Sequence, residues 1–387
     1  MKTLVNPIIE GLGAGGLRKP ETECAVQPPS DWAIVSSDNH IEVTDDIFYE
    51  NFPQSMKDRA PRVTFDRMWK FALPGGQGAF DKADGDIAEL WNKLFVDVKF
   101  EKQKRDVYMR EEGVDQEIAF PNSLLGLLHM QDREARELVF RIYNEYVVDL
   151  EKQSDYLFGV GVLSNWWDET KVEKAVQQIG DLGLKTFMLP IALRDLQNKP
   201  MGLADESMDR FWSAAEELGL PVNFHIGENN SLEGRGGFAA NYMNNTAPFR
   251  KPLAQLVFGG VFDRHPNLKV VFTEAGISWV PHWLQDAEYY YDTHLEILDI
   301  KLKHRPSYYW ANNCYATFQL DQLGLNLIDY IGSDRVMWAS DYPHSESVYG
   351  AGRSSIRSVM DAVSPSEAKA ILGGTAAEIY NLPPVKR

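Results

Sequence analysis

The segment Ser37-Asp38-Asn39-His40-Ile41-Glu42 follows directly on an apolar run, Ala33-Ile34-Val35. On an extended strand alternate side chains share a face, so Asp38, His40 and Glu42 are expected to project together. Two carboxylates and an imidazole at the end of a strand are donors that hold a divalent cation. The same residues also suit a surface turn, because Asp-Asn is common turn chemistry. The metal reading therefore depends on partners elsewhere in the chain.

Those partners follow other apolar runs. His225 ends Pro221-Val222-Asn223-Phe224, Glu274 ends Lys269-Val270-Val271-Phe272-Thr273, and Asp341 ends Arg335-Val336-Met337-Trp338-Ala339-Ser340. His344 stands three residues beyond Asp341, past Tyr342-Pro343. Each has a structural explanation when taken alone: a core histidine, an acid at a helix N-terminus, an N-cap. Together, at the ends of four strands, they converge on one cavity. Two imidazoles with several carboxylates suit Zn, Mn or Fe better than Mg or Ca. His40 is the firm ligand of the first strand. Whether Asp38, Glu42 or both join it decides if the site holds one ion or two.

The elements that must position these residues are legible as alternating patterns. After Ile34–Ile41, strands are predicted at Val114–Pro121, Phe158–Leu163, Leu184–Leu189, Pro221–His225, Lys269–Glu274, Asn313–Phe318 and Arg335–Asp341. Helical periods cover Arg133–Ser154, Glu169–Leu182, Met208–Leu218, Trp279 to about Leu298, and Leu323–Ile331. Short buried strands separated by helices indicate a parallel α/β fold, and eight such units indicate a (β/α)8 TIM barrel, with a doubly wound sheet as the alternative. Active sites of such barrels lie at the C-terminal ends of the strands, where the ligand-type residues fall. A long insertion, 44–112, follows the first strand and reads as a lid with small elements of its own, including the loop Pro74-Gly75-Gly76-Gln77-Gly78. Residues 1–30, rich in Gly and Pro, read as an N-terminal arm outside the barrel domain of 31–387.

Composition narrows the partners. The chain has 387 residues, 44% of them hydrophobic and 25% charged, as in a soluble globular protein. A net charge of −17 excludes nucleic acid and anionic membrane as main partners. Two distant cysteines, Cys24 and Cys314, form neither a metal-spaced nor a redox pair. There is no signal-peptide pattern and no apolar run near the ~18 residues of a membrane span, so a cytoplasmic location is expected. The expected partner is a small-molecule substrate. Aromatic residues at Trp279, Trp283, Tyr289–Tyr291 and Tyr308–Trp310 suit either an apolar pocket or the interface of a homo-oligomer, a dimer. Arg235, in the Gly-rich stretch Glu233–Gly237, is a candidate for binding an anionic group. Trp279 and Tyr342 are the other substrate-contact candidates.

The motifs Ser37–Glu42, Phe224-His225-Ile226-Gly227, His265-Pro266-Asn267-Leu268-Lys269 leading to Glu274-Ala275-Gly276, Trp279-Val280-Pro281, Trp338–His344 and Ile371–Ala376 occur in this order. In that order the chain resembles the amidohydrolase-related branch of the amidohydrolase superfamily, over roughly Ile34 to Leu382. This is the group that contains aminocarboxymuconate-semialdehyde decarboxylase and related aromatic-acid decarboxylases. The resemblance implies a metal held by His40, His225, Asp341 and one of Asp38 or Glu42, with Glu274 nearby and His265 structural. In the favoured mechanism Asp341, Glu274 and His344 are the catalytic residues, with Asp341 taking a proton from metal-bound water and Glu274 or His344 relaying it. One departure stands out: the decarboxylases place a catalytic His at the end of strand six, where this chain has Glu274. Metal-dependent hydrolysis of an amide, ester or lactone of a small carboxylated compound is therefore the first expectation. The alternatives are non-oxidative decarboxylation of an aromatic acid, a non-heme iron (or di-iron) oxygenase, and a binding protein that has lost catalysis.

Overall fold

The computed structural model describes residues 27–66, 68–72, 100–128, 130–195, 199–228, 248–298 and 301–386, with scattered residues between them. Its strands are β1 (Val35–Ile41), the pair β2 (Arg62–Asp66) and β3 (Met68–Ala72), β4 (Gln116–Pro121), β5 (Leu157–Gly159) and β6 (Gly161–Val162). They continue with β7 (Phe187–Met188), β8 (Val222–His225), β9 (Val270–Thr273), β10 (Cys314–Phe318) and β11 (Val336–Trp338). Every residue of β1, β4, β8, β9, β10 and β11 is buried. Burial on both faces is the mark of parallel strands covered by helices.

Two parallel ladders, β1-β4-β5 and β11-β10-β9-β8-β7-β6, carry the barrel. They share one strand run, because only Val160 separates β5 from β6. Val160 N–H donates to the Ala119 carbonyl (2.9 Å) and Gly161 N–H to that of Thr186 (3.1 Å), so the run pairs with β4 on one side and β7 on the other. At the remaining seam Asp341 N–H donates to the Asp38 carbonyl (2.8 Å) and His40 N–H to that of Tyr342 (2.7 Å). Ser340 N–H donates to Ser36 Oγ across the same seam (2.8 Å). The fold is thus the expected α/β barrel of eight parallel runs, and the weakly patterned seventh strand, β10, is paired on both sides.

Helices of the outer layer follow their apolar stripes. Arg133–Glu151 buries Ala135, Val139, Phe140, Tyr143, Val147 and Leu150, and its N-cap Asp132 accepts from Ala135 N–H. Arg59, from the insertion, grips both oxygens of Asp132 at 2.6 and 2.7 Å. The run expected as one helix over Leu323–Ile331 is instead two single turns, Gln322–Leu325 and Ile328–Ile331. Asp321 caps the start of the first turn by accepting from Gly324 N–H (2.8 Å), and Gly324 packs so tightly on Ile277 that a Cβ there would lie 2.3 Å from its Cγ1. Of the insertion, the described residues form the antiparallel pair β2–β3 and the helix Lys102–Glu112. The loop Pro74–Gly78 lies outside the described residues, as does part of Glu233–Gly237. Among the described residues of the N-terminal arm, Arg18 donates to the carbonyls of Ser347 (2.7 Å) and Tyr349 (3.1 Å). No helix among the described residues is long and apolar enough to cross a membrane.

The C-terminal turn locks β1 in place. A Cβ on Gly373 would lie 2.1 Å from the carbonyl oxygen of Ala33, a backbone atom that cannot turn aside. Gly373→Ala is expected to destabilise the fold by about 1–3 kcal/mol through overpacking. Urea unfolding measures it, and an unchanged midpoint would show that this approach does not constrain β1.

Candidate metal centre

Asp38 and His40 reach the barrel mouth from β1, His225 from the last residue of β8, Glu274 from just past β9, and Asp341 and His344 from the turn after β11. Their ligand atoms fall into two overlapping groups, Asp38/His40/His225/Glu274 and His40/Glu274/Asp341/His344, each within 4.8 Å. His40 Nε2 lies 3.1 Å from Asp341 Oδ1 and 3.6 Å from Asp38 Oδ1. His225 Nε2 lies 3.3 Å from Asp38 Oδ1 and 3.6 Å from Glu274 Oε2. His344 Nδ1 is 2.9 Å from Asp341 Oδ1, and its ring stacks on that of His40 at 3.8 Å. The far side of His344 faces Asn122 Oδ1 at 3.2 Å.

Charge is concentrated here with little water. Asp38 and Asp341 are fully buried, and the Glu274 side chain is 7% exposed. Burial, then the neighbouring Asp341 and Asp38, push Glu274 well above the usual carboxyl range. Burial likewise raises Asp341, against the pull of His344. His40 is driven well below its ordinary value by burial and by the other two imidazoles. Burial opposes the charge on His225, but the charge and hydrogen bond of Asp38, the Ile226 carbonyl and Asp341 together raise it. Asp38 Oδ2, Asp341 Oδ2 and His40 Nε2 have no hydrogen-bond partner although they are buried. Such atoms are costly unless something absent from the protein itself satisfies them.

Two of these acids sit on unusual backbone. Glu274 (φ 71°) and Asp341 (φ 62°) both occupy the left-handed region. For a residue other than glycine this costs of order 1–3 kcal/mol, and it persists only where the surroundings hold it. Thr317 Oγ1 accepts from Glu274 N–H (2.9 Å) and the Asp38 carbonyl from Asp341 N–H (2.8 Å).

Behind β1 a second buried network holds the metal-facing side. Asn39 points away from the cluster and donates to Glu117 Oε2 (2.5 Å), while its own Oδ1 accepts from Tyr342 N–H (3.0 Å). Arg105 pairs with Glu117 (2.9 Å) and donates to the His40 carbonyl (2.9 Å). Glu228, past His225, accepts from the amides of Ile191 and Ala192, joining the loops after β7 and β8. Asn39, Asn122, Arg105, Glu117 and Glu228 were not singled out from the sequence. Asn122 and Glu228 also follow strand ends, so the same rule that found His225 reaches them, whereas Glu117, behind Asp115-Gln116 at the start of β4, lies outside it.

The remaining candidates lie elsewhere. Glu42 is buried, yet it is absent from the converging groups. β1 stops at Ile41, so strict alternation does not carry to Glu42; it bears instead on Tyr143 and Tyr146, both raised first by burial and in lesser part by the Glu42 charge. Tyr342 stacks on Tyr108 at 4.1 Å, with the Arg105 guanidinium 4.9 Å from its ring, in the network behind β1. Trp279 donates to the Gly276 carbonyl (3.0 Å) and packs edge-on against Phe272 and Trp310. Arg235 is exposed. The aromatic cluster around Tyr308 and Trp310 borders a cavity of about 610 Å³. That cavity is lined by residues that precede β10 and β11, at the end of the barrel opposite the metal cluster.

Comparison with known proteins agrees with this architecture. A family model described as Amidohydrolase matches residues 88–382. A 2-amino-3-carboxymuconate-6-semialdehyde decarboxylase of Dictyostelium discoideum is 23% identical over 311 residues, covering 76% of this chain and 83% of the relative. An amidohydrolase of Mycobacterium avium subsp. paratuberculosis superposes with a TM-score of 0.71 at 19% identity, over 91% of this chain and all of that one. A dihydroxybenzoic acid decarboxylase of a Polaromonas species, solved with manganese and the inhibitor 2-nitroresorcinol, gives 0.67 at 15% identity, over 90% of this chain and 97% of that one. The structural likenesses are likenesses of fold; the family match spans most of the sequence and includes every residue of the cluster except Asp38 and His40. The chain belongs to the amidohydrolase family.

Proposed function

We propose that the protein is a metal-dependent decarboxylase that removes CO2, without an oxidant, from a small aromatic or apolar carboxylic acid. The observation that carries the reading is the convergence of Asp38, His40, His225 and Glu274, and of His40, Glu274, Asp341 and His344, with buried oxygens and a ring nitrogen left unpartnered. The donor spacings of 3.1–3.6 Å suit one cation, since bonds of about 2.0–2.2 Å set ligands roughly 3 Å apart. The decarboxylases among the relatives favour loss of CO2 over the hydrolysis expected from Glu274. When bound, the metal supplies Lewis-acid polarisation of substrate oxygens.

The protein's own groups do the rest. Decarboxylation breaks the bond between carbon and carboxylate, and the electron pair left on carbon must take a proton. Glu274, shared by both groups of ligand atoms and with its side chain nearly buried, is the group proposed to give that proton, and solvent restores it. His344, paired with Asp341 and braced by Asn122, holds that carboxylate's orientation. Hydrolysis remains the second reading because Glu274 replaces the imidazole of the decarboxylases, and a carboxylate there suits activation of water.

Two outcomes test this. Metal analysis and titration calorimetry are expected to find one Mn, Zn or Fe per chain. Asp38→Asn should weaken binding by at least ~10–100-fold, the range seen even for residues one step removed from a metal, while Glu42→Gln leaves it unchanged. Loss of the metal in the Glu42 variant instead would relocate the first-strand ligand. In an anaerobic screen of hydroxybenzoates the protein should release CO2, and Glu274→Gln should lower turnover by ~10²–10⁴-fold with metal retained. Oxygen uptake, or hydrolysis products with no CO2, would falsify the decarboxylase assignment.

A further inference from the structure

The same end of the barrel holds a second group of buried polar atoms without partners. Arg136, in the first turn of the helix Arg133–Glu151, is 7% exposed. One arm of its guanidinium, Nη1, donates to the Leu128 carbonyl (2.7 Å). Its Cζ lies 4.1 Å from the ring centre of Trp167 and 4.8 Å from that of Trp166. The two indoles meet edge to face at 4.7 Å, and Phe140 backs Trp166 at 6.2 Å. Arg136 Nε has no hydrogen-bond partner, and neither have Trp166 Nε1 and Asn165 Oδ1. Trp166 and Asn165 are each 4% exposed.

What is missing is an anion. Among the described residues no carboxylate pairs with Arg136, and the charge that bears on it is another cation, Arg133. Taking a guanidinium out of water costs several kcal/mol, and cation–π contacts offset about 0.5–2 kcal/mol of that. The unpartnered Nε–H belongs to the edge of the guanidinium that, together with Nη2, receives both oxygens of a carboxylate side by side. The Trp166 indole N–H is a further donor beside it. Trp166, Trp167 and Asn165 follow β6, and Arg136 follows the loop after β4, so the group stands on the C-terminal side of the strands, as the metal cluster does.

We propose that Arg136, framed by Trp166 and Trp167 and joined by the Trp166 indole N–H and Asn165, is a binding subsite for the carboxylate of a small organic acid. The flat indole walls favour a planar acid such as a benzoate. The subsite does not depend on which reaction the metal centre performs. Its occupant is either the substrate's own carboxylate or that of a separate acid.

Benzoate serves as the probe, titrated into manganese-loaded protein and followed by tryptophan fluorescence and thermal shift. Saturable binding is expected. Arg136→Met should weaken it by ~10–100-fold, the usual scale of a charged hydrogen bond, and Arg136→Lys by less, with manganese stoichiometry unchanged in both. Should Arg136→Met fail to fold, Trp166→Phe removes only the indole N–H and should weaken binding ~3–10-fold. Repeating the titration after chelation separates the two sources. Affinity that rises with manganese marks one acid reaching both groups, and affinity independent of manganese marks a separate acid. Benzoate that does not bind the wild-type protein, or that binds the folded variants as tightly as the wild type, overturns the subsite.

Discussion

Three carboxylates and three imidazoles withdrawn from water into one small space are the constraint on which the rest of this molecule depends. Burial raises the proton affinity of Glu274 and Asp341, and the neighbouring Asp38 adds to it in both. A protein has two ways out of such a cluster: to keep protons on the acids, or to supply a positive charge that replaces them. The unpartnered oxygens of Asp38 and Asp341 argue for the second, because a proton on each would still leave acceptors facing nothing. A divalent cation answers both the charge and the empty lone pairs.

That demand propagates outward. Glu274 and Asp341 are held in left-handed backbone, and the hydrogen bonds that hold them come from neighbouring strands, so the strain is shared by β1, β10 and the turn after β11. β1 carries the heaviest load, since it brings two of the candidate ligands. Asn39, lying between them in sequence and facing the other way, ties the strand to Glu117 and to the Tyr342 amide, and Arg105 fixes the His40 carbonyl. The buried Arg105–Glu117 pair stabilises little by itself once its desolvation is counted. Its use is register: it links the helix Lys102–Glu112, β4 and β1 at the one place where a slip would scatter the ligands.

Much of this was legible because a parallel barrel turns chain position into spatial position. Once an apolar run is read as a strand, the polar residue that ends it is assigned to the mouth, and His225, Glu274 and Asp341 followed from that rule alone. Glu42 stands outside the converging groups because the rule of alternation assumes a strand that continues, and β1 ends at Ile41. Local sequence carries no mark of that end point; it is set by the pairing with β4, which stops at Pro121. Tyr342 and Trp279 show another limit of the sequence: an aromatic ring near a site is as useful for packing as for binding, and both make packing contacts here. Arg136 was invisible for the opposite reason, since a basic residue in the first turn of an amphipathic helix reads as a solvated face until burial is known.

The sign of the charge on each group then gives the barrel mouth a direction. The metal cluster is built from anionic and neutral donors and is suited to a cation, whereas the Arg136 group is cationic and has no acid of its own. A neutral molecule would gain little from either. A molecule with a carboxylate and a second oxygen function has something to offer both, and its two ends are not interchangeable: a guanidinium fork accepts a planar pair of oxygens, while a metal accepts any good oxygen donor. The chain's overall charge of −17 does not oppose such a substrate, because the potential that an acid feels inside a cleft is set by the groups lining it. Replacing an imidazole by Glu274 at strand six fits the same logic. A carboxyl that stays protonated adds no charge to a site already crowded with it.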